Sequence, residues 1–532
     1  MNMVSSGAAL LSSRAVRTQP LGPDVLLTCR EVEEIACLHP GTQPALTEAA
    51  LAAMEESRAC RARLETAGVP IYGTTTGFGP FVTYASGDNG RGLQQHGAGL
   101  LDHLGAGWGP ANAPWTEPEV VIAAMWVRVQ NLAQGWSGIS PNLISAYLRL
   151  PATGIVPCVP PVGSVGASGD LIPLAHIARA FVGAEDAWVR YQGGILPARE
   201  ALHRAQLNLP QLEGREALAL TNGTSFLTAF AALATARAER LLATAERLTG
   251  WMYRLLGART PALNPALHQA RGHHGQMVSA ENIRLAAYGD ENPMLSEDSS
   301  RPLQEVYSIR CAPQVLGACR DQIEYARQVI ETEINGVSDN PLFDTAQEAV
   351  LHGGNFQGQQ VAFAADALNA ALTQIAVLAE RQVDALVTPS RTNEHAPLLL
   401  SACPGASSGL AGAQITATAL VAEMRSRAQM HATFSIPTNG DNQDVVSMGT
   451  LAARAAFEQT ERLAGVLAVL TMALAQLTHL RSRGLAAGNP CPVPAGIPEF
   501  VGVDSDRPLH TDLMRISRHF LLPEPGSKET PS

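Results

Sequence analysis

The pattern of apolar positions along this chain changes texture near residue 224. Over 23–230, short runs of helical period alternate with Gly- and Pro-rich stretches, which predicts short helices joined by loops. The run 224–256 is then rich in Ala, Leu, Arg and Glu, with no Pro or Gly before Gly250. That predicts one helix roughly 50 Å long. Similar apolar stripes cover 311–334, 356–386, 408–433 and 446–482. Such stripes need partners, and Ala lets helices approach closely, so a long central helix bundle is expected. One chain can hardly cover every stripe, which points to an oligomer. The expected organisation is mainly α. Residues 1–22 are read as disordered, 23–230 as a smaller N-terminal domain, 231–515 as the bundle and 516–532 as a flexible tail. One short amphipathic segment falls near 506–520 in the Pro-rich end.

Composition narrows the chemistry. Hydrophobic residues make up 46% and aromatic residues 5%, a balance that suits helices better than sheets. The net charge is −11 with no basic cluster, which argues against nucleic acid and anionic membranes as partners. Lysine occurs once, at Lys528. A pyridoxal-phosphate enzyme needs a lysine for its Schiff base, and a Walker-A loop needs one for phosphate. The eight cysteines form no C-x-x-C pair, and His268, His273 and His274 stand without H-E-x-x-H, so they read as loop histidines and no metal site is expected. The Gly97-Ala98-Gly99 and Gly105-Ala106-Gly107 runs follow no clear strand, so close backbone packing explains them better than nucleotide binding. No signal peptide or uninterrupted membrane span is read, and a cytoplasmic location is expected.

The stretch Gly163-Ser164-Val165-Gly166-Ala167-Ser168-Gly169-Asp170 offers an electrophile made from backbone. The amide nitrogen of Gly169 can attack the carbonyl carbon of Ala167 and close a five-membered ring with loss of water. Dehydration of Ser168 then leaves an exocyclic methylene. The product is 4-methylideneimidazol-5-one (MIO). Glycine suits the attack because a side chain would hinder the tight turn. The tripeptide alone is a common loop sequence. With its flanking glycines, and with Asp170 and Pro173 leading into an apolar helical run, it resembles the signature of the aromatic amino acid ammonia-lyases and aminomutases. These MIO enzymes include histidine, phenylalanine and tyrosine ammonia-lyase. The resemblance covers about 25–515 and is nearest to the bacterial tyrosine type.

The resemblance implies a fumarase/aspartase-like fold, although the Lys-bearing loop of the fumarase relatives is missing. It implies a carbon–nitrogen lyase that needs no external cofactor, and a homotetramer whose active sites draw on several subunits. Ala167, Ser168 and Gly169 are then the catalytic MIO triplet. Tyr72, in a Gly- and Thr-rich run ending at Gly79-Pro80, is the catalytic acid/base; the local sequence alone allows a turn anchor equally well. A reference tyrosine pKa near ~10 requires a downward shift or alkaline operation. Arg310 binds the substrate carboxylate through two parallel hydrogen bonds, with Tyr307, a further catalytic residue, and substrate-binding Gln304 on the MIO side. Tyr307 and Arg310 share a face if their turn is helical. Asn222 hydrogen-bonds MIO or substrate, or caps a helix with Thr224 beside it. Asn335, Asn340 and Phe356 lie in runs similar to the family's Asn-Pro and Gly-Gly-Asn-Phe loops, and Phe356 joins the substrate site with Gly79, Asn439 and Asn442.

Two positions speak to the substrate ring. His103-Leu104 matches the tyrosine type of a family selectivity pair, and a histidine can bond a para-hydroxyl that an apolar pocket leaves unpaired. Gln443 stands where histidine ammonia-lyases carry Glu, and neutral Gln suits a neutral ring. Leu410-Ala411 replaces an expected Phe-Met pair, and Ala411 leaves room for ring substituents. The expected reaction is elimination of ammonia from a tyrosine-like or substituted phenylalanine L-α-amino acid to give an aryl-acrylate. The alternatives are an aromatic aminomutase, which shares these residues, and a histidine ammonia-lyase.

Overall fold

A computed structural model of the chain describes residues 17–37, 42–84, 93–290, 303–392 and 396–523. The protein is mostly helical. The predicted long helices form as Ser225–Leu256, Ala312–Asn335, Gln359–Val387, Ala411–Arg427 and Gly449–Ser482. Gln359–Val387 begins after the Gly353–Gly358 region, where glycines end the apolar stripe. Ala411–Arg427 begins after Gly409, whose φ of +55° breaks helical continuity.

Two compact units emerge, and neither is a continuous stretch of sequence. The first comprises Met1–Leu233, Val329–Phe363 and His431–Ala453. The second comprises Ala234–Gln328, Ala364–Met430 and Arg454–Ser532. The expected boundary at 230 therefore marks only the first of several crossings, because every long helix except Ala411–Arg427 contributes residues to both units. The ends differ from expectation in part. A strand, Arg17–Leu21, pairs in parallel with Thr42–Leu46 inside the segment expected to be disordered, and the amphipathic segment expected near 506–520 forms helix His510–Leu521, which runs into the expected tail. The last part of the expected tail, 524–532, lies outside the described residues, as does Lys528.

The first unit holds every short sheet. Besides the parallel pair, Val156–Pro157, Trp188–Tyr191 and Gly194–Pro197 form an antiparallel three-stranded sheet, and Leu342–Asp344 pairs with Ala349–Leu351. Its interior contains two arginines with fully buried side chains. Arg128 donates to the carbonyls of Ala219 and Ser338, and Arg215 donates to those of Ser137 and Asn340 and pairs with Asp339. Each guanidinium thus satisfies buried carbonyls, of the loops at Ser137, Ser338 and Asn340 and of the last turn of helix Gly214–Thr221 at Ala219.

The second unit is built from helical segments packed on Leu, Ala and aromatic side chains such as Trp251 and Phe457. The guanidinium of Arg237 lies 4.4 Å from the Phe457 ring centroid. Buried Glu246 accepts from Ser279, Asn282 and Arg320. His268 is not a loop histidine: it is buried in helix Pro265–Arg271, between the Ala262 carbonyl and Gln276. Two long helices, Gln359–Val387 and Gly449–Ser482, are long and apolar enough to cross a membrane, contrary to the sequence reading. Their most apolar windows are 72% and 89% buried within the protein, so their apolar stripes already serve the core.

Candidate active site

The first unit contains a cavity of about 790 Å³. Eleven of the residues singled out from sequence line it: Tyr72, Gly79, His103, Leu104, Ala167, Ser168, Gly169, Asn222, Asn439, Asn442 and Gln443. Its lining, among the described residues, includes no Asp, Glu, Lys or Arg.

One wall is the Gly163–Gly169 stretch, and contacts from distant parts of the chain fix it. Ser447 Oγ donates to the Gly166 carbonyl at 2.9 Å, and the Met448 N–H donates to Val165 at 2.9 Å. Ala167 packs into an apolar cluster with Val446 and Met448. Asp170, fully buried, accepts from Ser164 Oγ at 2.7 Å, Thr450 Oγ1 at 2.6 Å and the Leu227 N–H at 2.7 Å. Burial pushes its carboxyl pKa up, and these donors oppose that push. Gly169 adopts φ +67° and bridges Gly223 in parallel. A Cβ on Gly169 would run into the Gly223 backbone, so only glycine fits.

Ser168 itself stands between two carboxamides. Asn222 Nδ2 donates to the Ser168 carbonyl at 3.3 Å, and Gln443 Nε2 donates to Ser168 Oγ at 2.8 Å. Thr438 Oγ1 donates to Gln443 Oε1 at 2.8 Å, which fixes the amide orientation. Gln443 therefore addresses the serine directly. The sequence reading had assigned it only to the charge of the ring. Asn222 ends helix Gly214–Thr221 and caps no following helix, and the Thr224 hydroxyl is bound to Glu333.

The opposite wall is the loop 72–81. Tyr72 Oη accepts from the Gly79 N–H at 2.8 Å, which closes the loop on itself. Burial pushes the Tyr72 pKa up, and the Gly79 N–H only partly offsets this. The downward shift expected of the base is thus not built into these groups. Gly79, at φ +55°, lies so close to Asn439 that a Cβ there would sit 2.8 Å from Asn439 Nδ2. Asn439 and Asp441 are themselves left-handed, at φ 57° and 60°, in the turn joining Thr438 to Gln443. Asn and Asp tolerate that region better than other side chains.

His103 ends helix Leu93–His103, and its Nδ1 lies 3.1 Å from the Gly99 carbonyl. A carbonyl only accepts, so in the neutral imidazole the proton sits on Nδ1 and the lone pair on Nε2. Leu104, next to it, is buried.

Five expected site residues do not line the cavity: Gln304, Tyr307, Arg310, Phe356 and Ala411. Tyr307 and Arg310 do share one helical turn, with the Arg310 guanidinium 4.5 Å from the Tyr307 ring centroid. Arg310 Nε donates to the Glu305 carbonyl at 3.0 Å. Tyr307 is 71% exposed. Phe356 is half-buried beside the Gly353–Gly358 region, and Ala411 opens helix Ala411–Arg427. Asn335 and Asn340 serve the backbone: Asn335 binds Leu27, and Asn340 accepts from the Gly353 N–H.

Several residues here escaped the sequence reading: Ser164, Thr438, Ser447 and Thr450 around the Ser168 wall, and His96 and His352 beside the Tyr72 loop. His96 had a readable signal, since it precedes His103 by two helical turns and so shares its face.

Comparison with known proteins identifies the relatives of the chain. The family described as aromatic amino acid lyase matches residues 27–492. Tyrosine ammonia-lyase of Cereibacter sphaeroides is 40% identical over 86% of this chain and 89% of its own length. Histidine ammonia-lyase of Geobacillus thermodenitrificans is 40% identical over 79% of this chain and 82% of its own. The crystal structure of tyrosine aminomutase from Streptomyces globisporus superposes with a TM-score of 0.84 at 30% identity, covering 94% of this chain and 97% of that one. The chain belongs to the aromatic amino acid lyase family.

Proposed function

We propose that this protein eliminates ammonia from a tyrosine-like aromatic L-α-amino acid, giving an aryl-acrylate, with MIO formed from Ala167, Ser168 and Gly169. The observation that carries this reading is the meeting of Ser168, Tyr72 and His103 around one uncharged cavity. The residues around the triplet fit the group. Gly169 has the conformation and the freedom from a side chain that closure needs, and the buried Oδ1 of Asn222 has no partner in this uncyclised form. When formed, the group supplies an electrophile for the substrate amine.

The other residues do the acid–base and binding work. Tyr72, as phenolate, takes the β-proton, and the Gly79 N–H stabilises the charge on Oη. His103 Nε2 accepts the para-hydroxyl of the substrate ring. The absence of a carboxylate from the lining favours a neutral ring over a cationic imidazole. The lining also lacks a cation for the substrate carboxylate. We assign that role to Arg310 of a second copy, with Gln304, Tyr307, Phe356 and Ala411 also presented to neighbouring copies in a homotetramer. The exposure of Tyr307 beside Arg310 supports this. The eight cysteines are all free thiols, in keeping with a cytoplasmic setting.

The test is product analysis with a panel of aromatic L-amino acids. An absorbing aryl-acrylate from tyrosine supports the reading. A β-amino acid product replaces it with an aminomutase, the activity named for the Streptomyces globisporus structure. Urocanate replaces it with histidine elimination, the activity named for the Geobacillus relative.

A further inference from the structure

The loop 72–81 is gripped by two imidazoles that the proposed reaction does not use, His352 away from the cavity and His96 on its lining. His352 Nε2 accepts from the Tyr72 N–H at 3.2 Å. His96 makes the closer fit. Its ring stacks on Phe78 with centroids 4.4 Å apart and planes 9° from parallel, and Phe78 in turn meets the Tyr72 ring edge-on at 6.2 Å. His96 is also hydrogen-bonded to the backbone of Thr76, in the direction that makes the imidazole the donor. Its Nε2 is buried without a partner, so Nδ1 is the donating nitrogen.

Space for the ring is made on the other side by Gly214. A Cβ at Gly214 would lie 2.8 Å from His96 Cδ2. His96 occupies the first turn of helix Leu93–His103, where the positive end of the helix disfavours a charged imidazolium. Burial acts in the same sense and lowers its pKa. Nearby charged groups are engaged elsewhere: Glu213 with Arg61, Arg215 with Asp339, and Glu216 with the Glu213 N–H.

We propose that His96 is a positioning residue for Tyr72: as a neutral imidazole it holds the 72–81 loop against helix Leu93–His103 through Thr76 and Phe78. His96 and His103 thus divide one helix face, the first serving the base and the second left open to the substrate ring. The catalytic part of this inference rests on the function proposed above.

Three variants separate the two grips. H96F keeps the stack and loses the donor, H96N keeps a donor and loses the stack, and H96L loses both. Hydrogen exchange of the loop amides, with Gly79 as reporter because it bonds Tyr72 Oη, reads the grip without any substrate. A neutral hydrogen bond and an aromatic pair each correspond to roughly a twofold to tenfold effect. We expect loop exchange to accelerate by about tenfold to a hundredfold in H96L and less in H96F and H96N, with the remaining amides unchanged. In the wild-type reaction kcat should fall by a similar factor, with KM moving less than about threefold. Unchanged loop exchange in H96L, or in both other variants if H96L does not fold, overturns the proposal. A rise in KM at constant kcat also overturns it, because His96 would then be contacting substrate. If the wild-type protein turns over no aromatic amino acid, the proposed function fails while the exchange measurement still decides the role of His96.

Discussion

The two walls of the cavity are held in opposite ways. The Ser168 wall is fixed by groups from two distant stretches, 222–227 and 438–450, and by its own flank at Ser164 and Asp170. The Tyr72 wall is a loop closed mainly on itself, by Tyr72 with Gly79, Gly73 with Thr76 and Gly77 with Tyr84, and held otherwise by the His352 and His96 side chains. The difference follows from the tasks proposed for each. Ring closure in the backbone demands one geometry held against relaxation. A base that covers substrate must also uncover product.

This comparison breaks or sharpens at four points. The largest expected effect is at Ser168. Ser168→Ala should abolish turnover and remove a two-water mass deficit seen by intact mass spectrometry in the wild type. Stability should change by no more than about 0.5–1.5 kcal/mol, the worth of one hydrogen bond, because the bonds of Gly166, Asp170 and Val165 that hold this wall do not involve the Ser168 side chain. A collapse of the fold on this change would mean that the wall depends on its serine.

Asp170 tests rigidity more severely. Asp170→Asn sets an NH2 group against donors from Ser164, Thr450 and Leu227. An unpaired buried donor costs about 1–3 kcal/mol, so thermal denaturation should show a clear loss of Tm. An unchanged Tm would place the strength of this wall elsewhere.

The ring end comes next. His103→Phe removes the acceptor for a para-hydroxyl. Leaving that hydroxyl unpaired costs about 1–3 kcal/mol, so preference should swing from tyrosine towards phenylalanine by roughly fivefold to 150-fold in kcat/KM. An unchanged ranking would move the ring away from His103.

The smallest effect per step is the pH response. Burial holds the Tyr72 pKa above its ordinary value of 10.0, so at neutral pH almost all of it is phenol. Raising the pH creates phenolate, so kcat/KM should climb by up to about tenfold per pH unit between about pH 7 and 9. A flat profile there would show that assembly of the copies lowers the Tyr72 pKa.

The sequence made some of this legible and not the rest, for physical reasons. Long helices could be read because their Ala- and Leu-rich stripes repeat over many turns, and 225–256 departs from the expected 224–256 by one residue. The Ala167-Ser168-Gly169 triplet, Tyr72 and the His103-Leu104 pair could be read because each belongs to a compact motif. The interleaved units could not, since no local pattern reports where a helix passes from one packing environment to another. Gln443 was found, but its orientation was hidden in the Thr438 hydroxyl five residues away. The Arg310 turn was found as well, yet a single chain gives it no place in the cavity.

The bond between Gln443 and Ser168 spans 275 positions, and that between Thr450 and Asp170 spans 280. During synthesis the triplet is therefore made long before the groups that shape it exist. Any chemistry at Ser168 that needs this geometry waits until the last third of the polypeptide has arrived and docked. On the function proposed here, a finished electrophile is a record of correct folding written into the covalent structure. Chains that never fold then stay unmodified, and the architecture itself times the maturation proposed at Ser168.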